Sequence, residues 1–270
     1  MLRARKEISG RLKREYEQYG PKCPIIPYKI VSLSDYFEIF NSILKKESRF
    51  WLRGHSDSTW NLTPSALRYK SEEKRNKALG LLSDFKRFVE IKLSNPPGLN
   101  EELKWIQLAQ HYGLPTRLLD WTQNASIALY FACLEPEKNG LVFVLNPVDL
   151  NKEVDPQRPR VFDAHLDTDL IDKYLKLSGK RDPNGLKTIA IHPTWNSERI
   201  MIQQGVFTLH GYRDFTLTGK QAPSLVYLPI PKKVKHSLLK ELDRVGVCEM
   251  SIFPESEHVC KYLKWRENLL

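Results

Sequence analysis

One stretch, WIQLAQHYGLPTRLLDWTQNASIALYFAC from Trp105 to Cys133, constrains this chain more than any other. Three elements follow one another there with almost no linker. An apolar helix is expected to run out at Gly113, with Pro115 just beyond as a second stop signal. A short strand is expected over Arg117–Trp121, and a second helix opens near Asn124, carrying Ile127, Ala128, Tyr130 and Phe131. So sharp a strand-to-helix corner leaves the first-turn amides of the second helix unpaired, where α/β proteins commonly place ligands. Polar residues crowd it: Gln110, His111, Tyr112, Thr116, Arg117, Asp120, Thr122, Gln123, Asn124 and Ser126. Polar groups on a rigid scaffold mark a binding site, and the plainer reading is a decorated core turn.

Elsewhere the pattern mixes strands and helices without strict alternation. A basic helix is expected over residues 1–20, followed by an extended proline-rich linker, Pro21–Tyr28. The domain proper, 29–270, begins with a helix capped by Ser32 or Ser34 and running to Leu44. Then come a strand at Phe50–His55, a long helix at about Ser71–Ile91 broken by Asn95-Pro96-Pro97-Gly98, and an apolar strand at Gly140–Leu145. Residues 149–187 read as a polar, loop-rich insertion around a short helix near Asp169–Leu177. Further strands are expected at Thr188–His192, Ile200–His210 and Ser224–Ile230. Helices follow at Lys233–Val245 and Ser256–Asn268, separated by an extended Glu249–Pro254. The class implied is α+β, with a mixed or antiparallel central sheet and flanking helices.

Composition narrows the function. A formal net charge of +10 points to a polyanionic partner such as nucleic acid, although solubility alone also accounts for it. No apolar run reaches the length of a membrane span, about eighteen residues. The N-terminus lacks the apolar core of a secretion signal. Cys23, Cys133, Cys248 and Cys260 show no CxxC spacing, which argues for reduced thiols in the cytoplasm rather than a metal site or disulfides. Glycine-rich phosphate loops, GxSxG elbows and HExxH zinc motifs are absent from the sequence.

Among single residues, Arg53 stands in an apolar strand (Phe50, Trp51, Leu52) and precedes Gly54. It needs a partner, either Asp120 in a structural pair or a ligand phosphate, with Gly54 letting that ligand approach the backbone. His111 ends a helix, as a dipole partner or as a proton carrier. Arg117 and Asp120, three apart on a strand, point to opposite faces. Gln203-Gln204-Gly205 inside the expected late strand suggests a bulge that aims amides at a ligand, or an edge irregularity.

These pieces resemble the FRG domain family. Leu52-Arg53-Gly54 stands for the Phe-Arg-Gly motif, followed by Gln110 through Thr122, the Ala-Leu-Tyr-Phe-Ala run at 128–132, Arg199 with Gln203–Phe207, and Ser251-Ile252-Phe253-Pro254. A more distant similarity is to ADP-ribosyltransferases of the Arg-Ser-Glu type. In that resemblance Trp51–Gly54 looks like the first-strand motif, Leu119–Thr122 stands for the Ser-Thr-Ser strand, and 128–132 looks like the helix behind it. It implies NAD as co-substrate, Arg53 on the pyrophosphate, Thr122 or Ser126 on the nicotinamide ribose, and Tyr112, Trp121 or Tyr130 stacked on the nicotinamide ring. The place of the catalytic Glu reads Gln203-Gln204, so either another acid, Glu198 or Glu249, serves or the chemistry differs.

The expected function is therefore an NAD-dependent ADP-ribosyltransferase acting on RNA or DNA, as a bacterial or phage toxin or defence effector, with an antitoxin as a possible protein partner. Its expected catalytic residues are Arg53, His111, Asp120, Thr122 and Gln204. The expected cofactor contacts are Arg53, Gly54, Gln110, Tyr112, Arg117, Trp121, Ser126, Tyr130 and Gln203, with no metal. Two rivals are a non-catalytic nucleic-acid or nucleotide-binding module and a metal-independent nuclease using His111 and Asp120.

Overall fold

The structure, a computed structural model, describes residues 30–43, 50–98, 100–175, 185–194, 197–213 and 216–269. The expected basic helix and proline-rich linker lie outside the described residues. The strands are β1 (Trp51–His55), β2 (Leu118–Thr122), β3 (Gly140–Leu145), β4 (Phe162–Asp163), β5 (Ile189–His192), β6 (Gly205–Leu209) and β7 (Val226–Ile230). They form one sheet in the order β4-β5-β6-β2-β1-β3-β7. Only β4–β5 is parallel; the other described ladders are antiparallel. The helices are α1 (Leu33–Ile43), α2 (Glu72–Val89), α3 (Glu102–His111), α4 (Ala125–Cys133), α5 (Pro147–Asn151), α6 (Thr168–Leu175), α7 (Glu198–Ile202), α8 (Lys235–Arg244), α9 (Glu249–Ile252) and α10 (Ser256–Arg266). The chain is α+β with a mixed sheet and flanking helices.

Local chemistry sets these boundaries. The Ser71 side chain accepts from the Lys74 amide to start α2, and Asn124 accepts from the amides of Ser126 and Ile127 to start α4. At the end of α3, Gly113 adopts φ +85°. Its amide donates to the Gln110 carbonyl, and the Leu114 amide reaches back to Ala109, a Schellman stop.

Two apolar cores share one face of the sheet. The first packs Leu52, Val142 and Val144 under α4, with Tyr36 of α1 and Leu238 of α8. The second packs Leu118, Phe207 and Ile189 with Leu103 of α3 and Tyr174 of α6. The opposite face carries a single core that includes Trp51, Leu119, Trp121 and Phe143. The seam between the first two cores coincides with a break in the sheet. Strand β1 pairs with β3 at five positions and β2 pairs with β6 at five. Yet β1 meets β2 only at Leu52↔Thr122, and beyond that pair the two central strands part.

Helix α4 lies directly on β1. A Cβ on Gly54 would overlap the Ala128 carbonyl oxygen and stand 2.6 Å from the Ala132 amide nitrogen. Gly54 is thus glycine because a helix backbone occupies the space, rather than because a ligand approaches there. The buried Lys235 Nζ holds the neighbouring loops, donating to the carbonyls of Ser56 and Glu135 at 2.7 Å each.

Three expected elements differ. The strand expected over Ile200–His210 is the end of α7, a turn, and then β6. Ser197 caps α7 by accepting from the Ile200 amide, and Gln204 turns the chain at φ +47°, so Gln203-Gln204-Gly205 is a helix-to-strand turn rather than a bulge. The extended Glu249–Pro254 is instead α9 plus a short tail, closed by the reciprocal capping of Cys248 and Ser251. Within 149–187, the polar stretch supplies edge strand β4, and the Asn151 side chain bonds both the amide and the carbonyl of Ala190. Among the described residues no helix is long and apolar enough to cross a membrane.

Two outcomes follow. Gly54→Ala should lower unfolding stability by about 3 kcal/mol through overpacking, read by urea denaturation, whereas Gly80→Ala, where an added Cβ meets nothing within 4 Å, should not. The second concerns Asp57. Burial would raise its pKa, but hydrogen bonds from Lys138 and Thr59 prevail and hold it at about 2. Since the unfolded value is near 3.9, roughly 2 kcal/mol of stability is present above pH ~4 and disappears as pH falls through the folded value. Asp57→Asn should therefore flatten the acid limb of stability, measured by urea unfolding at neutral and acidic pH.

Candidate active site

Where β1 and β2 part, a cleft of about 270 Å³ opens. Its floor is the split pair of strands (Leu52, Arg53, Gly54, Asp120, Trp121 and Thr122). Ile127 and Phe131 of α4 form one wall, Gln107, Gln110 and His111 of α3 the other, and α7 with the following turn closes it with Arg199, Ile200 and Gln203.

Strand alternation sets Arg53 with Trp51 and His55, and its guanidinium reaches across the gap. Nε donates to His55 Nε2 at 2.9 Å and Nη1 to the Asp120 carbonyl at 2.6 Å. The Asp120 carboxylate stands 3.8 Å from Nη1. The side chain thus takes over a strand carbonyl that lost its ladder partner, which combines the structural and functional readings of the sequence. Nη2 makes no hydrogen bond among the described residues. Burial lowers the Arg53 pKa; Asp120 opposes this, and nearby Arg68 adds to it. A guanidinium nevertheless stays protonated in proteins.

Asp120 is held by Gln110, whose Nε2 donates to Oδ1 at 2.7 Å, and Gln110 Oε1 accepts from Thr116 Oγ1. The Asp120 side chain is nonetheless 61% exposed, and among the described residues it is the one carboxylate that lines the cleft. Beside it, a relay runs through Glu255, whose Oε1 is 3.6 Å from His111 Nε2 and 4.0 Å from Arg199 Nη1. The Arg199 guanidinium also stacks on Phe253, 4.7 Å from the ring centroid. Burial lowers the His111 pKa, the Arg199 cation lowers it further, and Glu255 only partly offsets them. His111 is therefore neutral at pH 7 and able to accept a proton.

The structure brings Arg53, Gly54, Gln110, His111, Asp120, Trp121, Thr122 and Gln203 to this cleft. It sets the other expected residues elsewhere. The Arg117 guanidinium is buried at the start of β2, donating to the carbonyls of His210 and Tyr174. Tyr130 faces a second cavity, of about 390 Å³, where its hydroxyl donates to Glu249 at 3.3 Å. Tyr112 caps α3 and is exposed outside the cleft. Ser126 and Gln204 belong to the helix start and the turn. The α4 amides expected to await a ligand are taken by Asn124. Thr122 spends its hydroxyl locally, donating to the Gln203 carbonyl at 2.6 Å and accepting from the Asn124 amide. Trp121 is a core residue whose Nε1 donates to Thr208. Neither Glu198 nor Glu249 lines the cleft.

Sequence reasoning missed Gln107, Arg199, Phe131 and Phe207 as lining residues. Gln107 was within reach of it, since Gln107, Gln110 and His111 share one helix face at i, i+3 and i+4. Phe131 likewise follows Ile127 by four. Among the described residues no three His, Cys, Asp or Glu side chains are grouped to hold a metal ion.

Following the His111 ring protons by NMR across pH should give a midpoint below the ordinary histidine value of about 6.5. Arg199→Gln should move that midpoint upward by removing the neighbouring cation.

Comparison with known proteins adds one finding. The FRG domain family model matches residues 48–140, a segment that carries β1, α3, β2 and α4 and hence the floor and both helical walls of the cleft. No curated protein and no solved structure matches the chain significantly. Residues 48–140, the part of the chain that builds most of the cleft, are thus similar to the FRG domain.

Proposed function

We propose that the cleft is the active site of an NAD-dependent ADP-ribosyltransferase whose acceptor is a nucleic acid. The observation that carries this reading is Arg53, a cation held by His55 on its own strand and by the Asp120 carbonyl across the split, with Nη2 making no hydrogen bond among the described residues, beside the exposed Asp120 carboxylate. A guanidinium with a free edge suits a pyrophosphate. The enclosed volume lies just below the usual range for ligand pockets, roughly 300–1,000 Å³, and suits the nicotinamide-ribose end of a dinucleotide. Phe131 and Phe207 supply the apolar walls that a flat aromatic ring needs, taking the part first expected of Tyr112, Trp121 or Tyr130.

NAD as a substrate brings an activated ribosyl bond and a neutral leaving group. In the transfer, the bond from ribose C1 to the nicotinamide nitrogen breaks, C1 bonds to the acceptor, and the acceptor gives up a proton. This chain's residues have parts that fit. The Asp120 carboxylate stabilises positive charge developing on the ribose, in place of the Glu that Gln203-Gln204 replaces. His111, kept neutral by burial and by Arg199, is a base for the acceptor proton. The net charge of +10 favours a polyanionic acceptor.

The test is incubation of the full chain with labelled NAD and, separately, RNA, DNA and protein. Label should appear on nucleic acid, and Arg53→Ala and Asp120→Asn should each lower the rate about 100-fold or more, as loss of a transition-state contact does. Binding of NAD with no transfer to any acceptor, or transfer undiminished by Arg53→Ala, would overturn the proposal.

A further inference from the structure

Three glutamine amides line the cleft, and they are not equivalent. Gln110 is occupied at both ends, by Thr116 and by Asp120. Gln107 is held at one end only: its Oε1 accepts from Thr194 Oγ1 at 3.0 Å. Its Nε2 is buried and has no hydrogen-bond partner among the described residues, on a side chain only 3% exposed. Gln203 is held at the opposite end. Its Nε2 donates to the Ile252 carbonyl at 3.3 Å, and its Oε1 makes no hydrogen bond among the described residues.

A buried donor left unpaired is costly and uncommon in a folded protein. Beside a cleft, such a donor is a group reserved for an acceptor on a ligand. Here the anchoring of two amides by opposite ends leaves one donor and one acceptor. A primary carboxamide offers the complement, a carbonyl oxygen and N–H donors. A carboxylate would set an acceptor against Gln203 Oε1, and a ketone would leave that oxygen unpaired.

We propose that Gln107 and Gln203 are specificity-determining residues that read the primary carboxamide of nicotinamide. Gln107 Nε2 donates to the carboxamide oxygen, and Gln203 Oε1 accepts from the carboxamide N–H. This inference rests on the assignment of NAD to the same cleft.

The experiment is calorimetric titration of the full chain with NAD, with its carboxylate analogue nicotinic acid adenine dinucleotide, and with its ketone analogue 3-acetylpyridine adenine dinucleotide. The native protein should bind NAD about 10-fold tighter than either analogue, as expected for a site with reserved polar groups. Gln107→Met should weaken NAD binding about 10-fold and shrink that preference, with a modest fall in Tm because the buried Thr194 hydroxyl loses its acceptor. Gln107→Glu, which keeps an acceptor for Thr194 but removes the donor, should shrink the preference in the same way. NAD binding with no preference over the analogues, or an unaltered preference in both variants, would overturn the carboxamide reading alone. A fall in Tm with equal loss for all three dinucleotides would assign Gln107 a structural role and overturn it too. No binding of NAD to the native protein would overturn both this inference and the assignment of NAD.

Discussion

The two central strands of the sheet share a single ladder pair, Leu52↔Thr122, and the rest of the molecule's character depends on that separation. Continued pairing would set Gly54 opposite Asp120 and press a carboxylate against the backbone of α4, a charge buried in apolar contact. Parting the strands keeps Asp120 in water and costs ladder hydrogen bonds instead. Arg53 recovers one of them by donating to the Asp120 carbonyl. On the opposite face, Trp51, Leu119, Trp121 and Phe143 form one unbroken core, so the sheet remains a single body while one face is divided. The cleft is the consequence of a sheet sewn together on one side only.

Walls on both sides are fixed by backbone chemistry, which is what a site needs if its groups are to stay in place. Helix α4 is set by the bare Cα of Gly54, by Gly140, where an added Cβ would overlap the Ala132 carbonyl, and by the Asn124 cap. Helix α3 is stopped by the Gly113 turn one residue after Tyr112, which leaves Gln107, Gln110 and His111 on the cleft side. The third wall is less regular. Arg199 is held by the Phe253 ring and by Glu255, so a short segment near the end of the chain governs the charge in a cleft built mostly from residues 48–140. That arrangement explains how a matched segment can contain the floor and the helical walls while the electrostatics come from elsewhere.

Much of this was legible in the sequence because it is local. Gly113 before Pro115, Asn124 before an apolar run and the alternation of Arg117 with Asp120 are properties of adjacent residues, and each was met within a residue or two. The fold class followed from the same periodicities. The late segments were misread where a cap outweighed a propensity: the Ile-rich run after Ser197 reads as strand, yet Ser197 nucleates a helical turn, and Gln204 takes the turn in a conformation that amino acids with side chains seldom adopt.

The site residues divide along the same line. By itself the sequence determined that Arg53, Asp120 and the α3 terminus carry polar groups on rigid elements, because residue type and spacing are enough to say that a polar group must find a partner or a ligand. Which of these it would be was decided only by tertiary structure. Arg117 and Tyr130 found partners, at the carbonyls of Tyr174 and His210 and at Glu249, and so left the cleft. Gln107 and Gln203 were each satisfied at one end, by residues distant in the chain, Thr194 and Ile252. A hydrogen-bond partner far along the chain leaves no trace in local pattern, so the distinction between an occupied group and a free one exists only once the chain has folded.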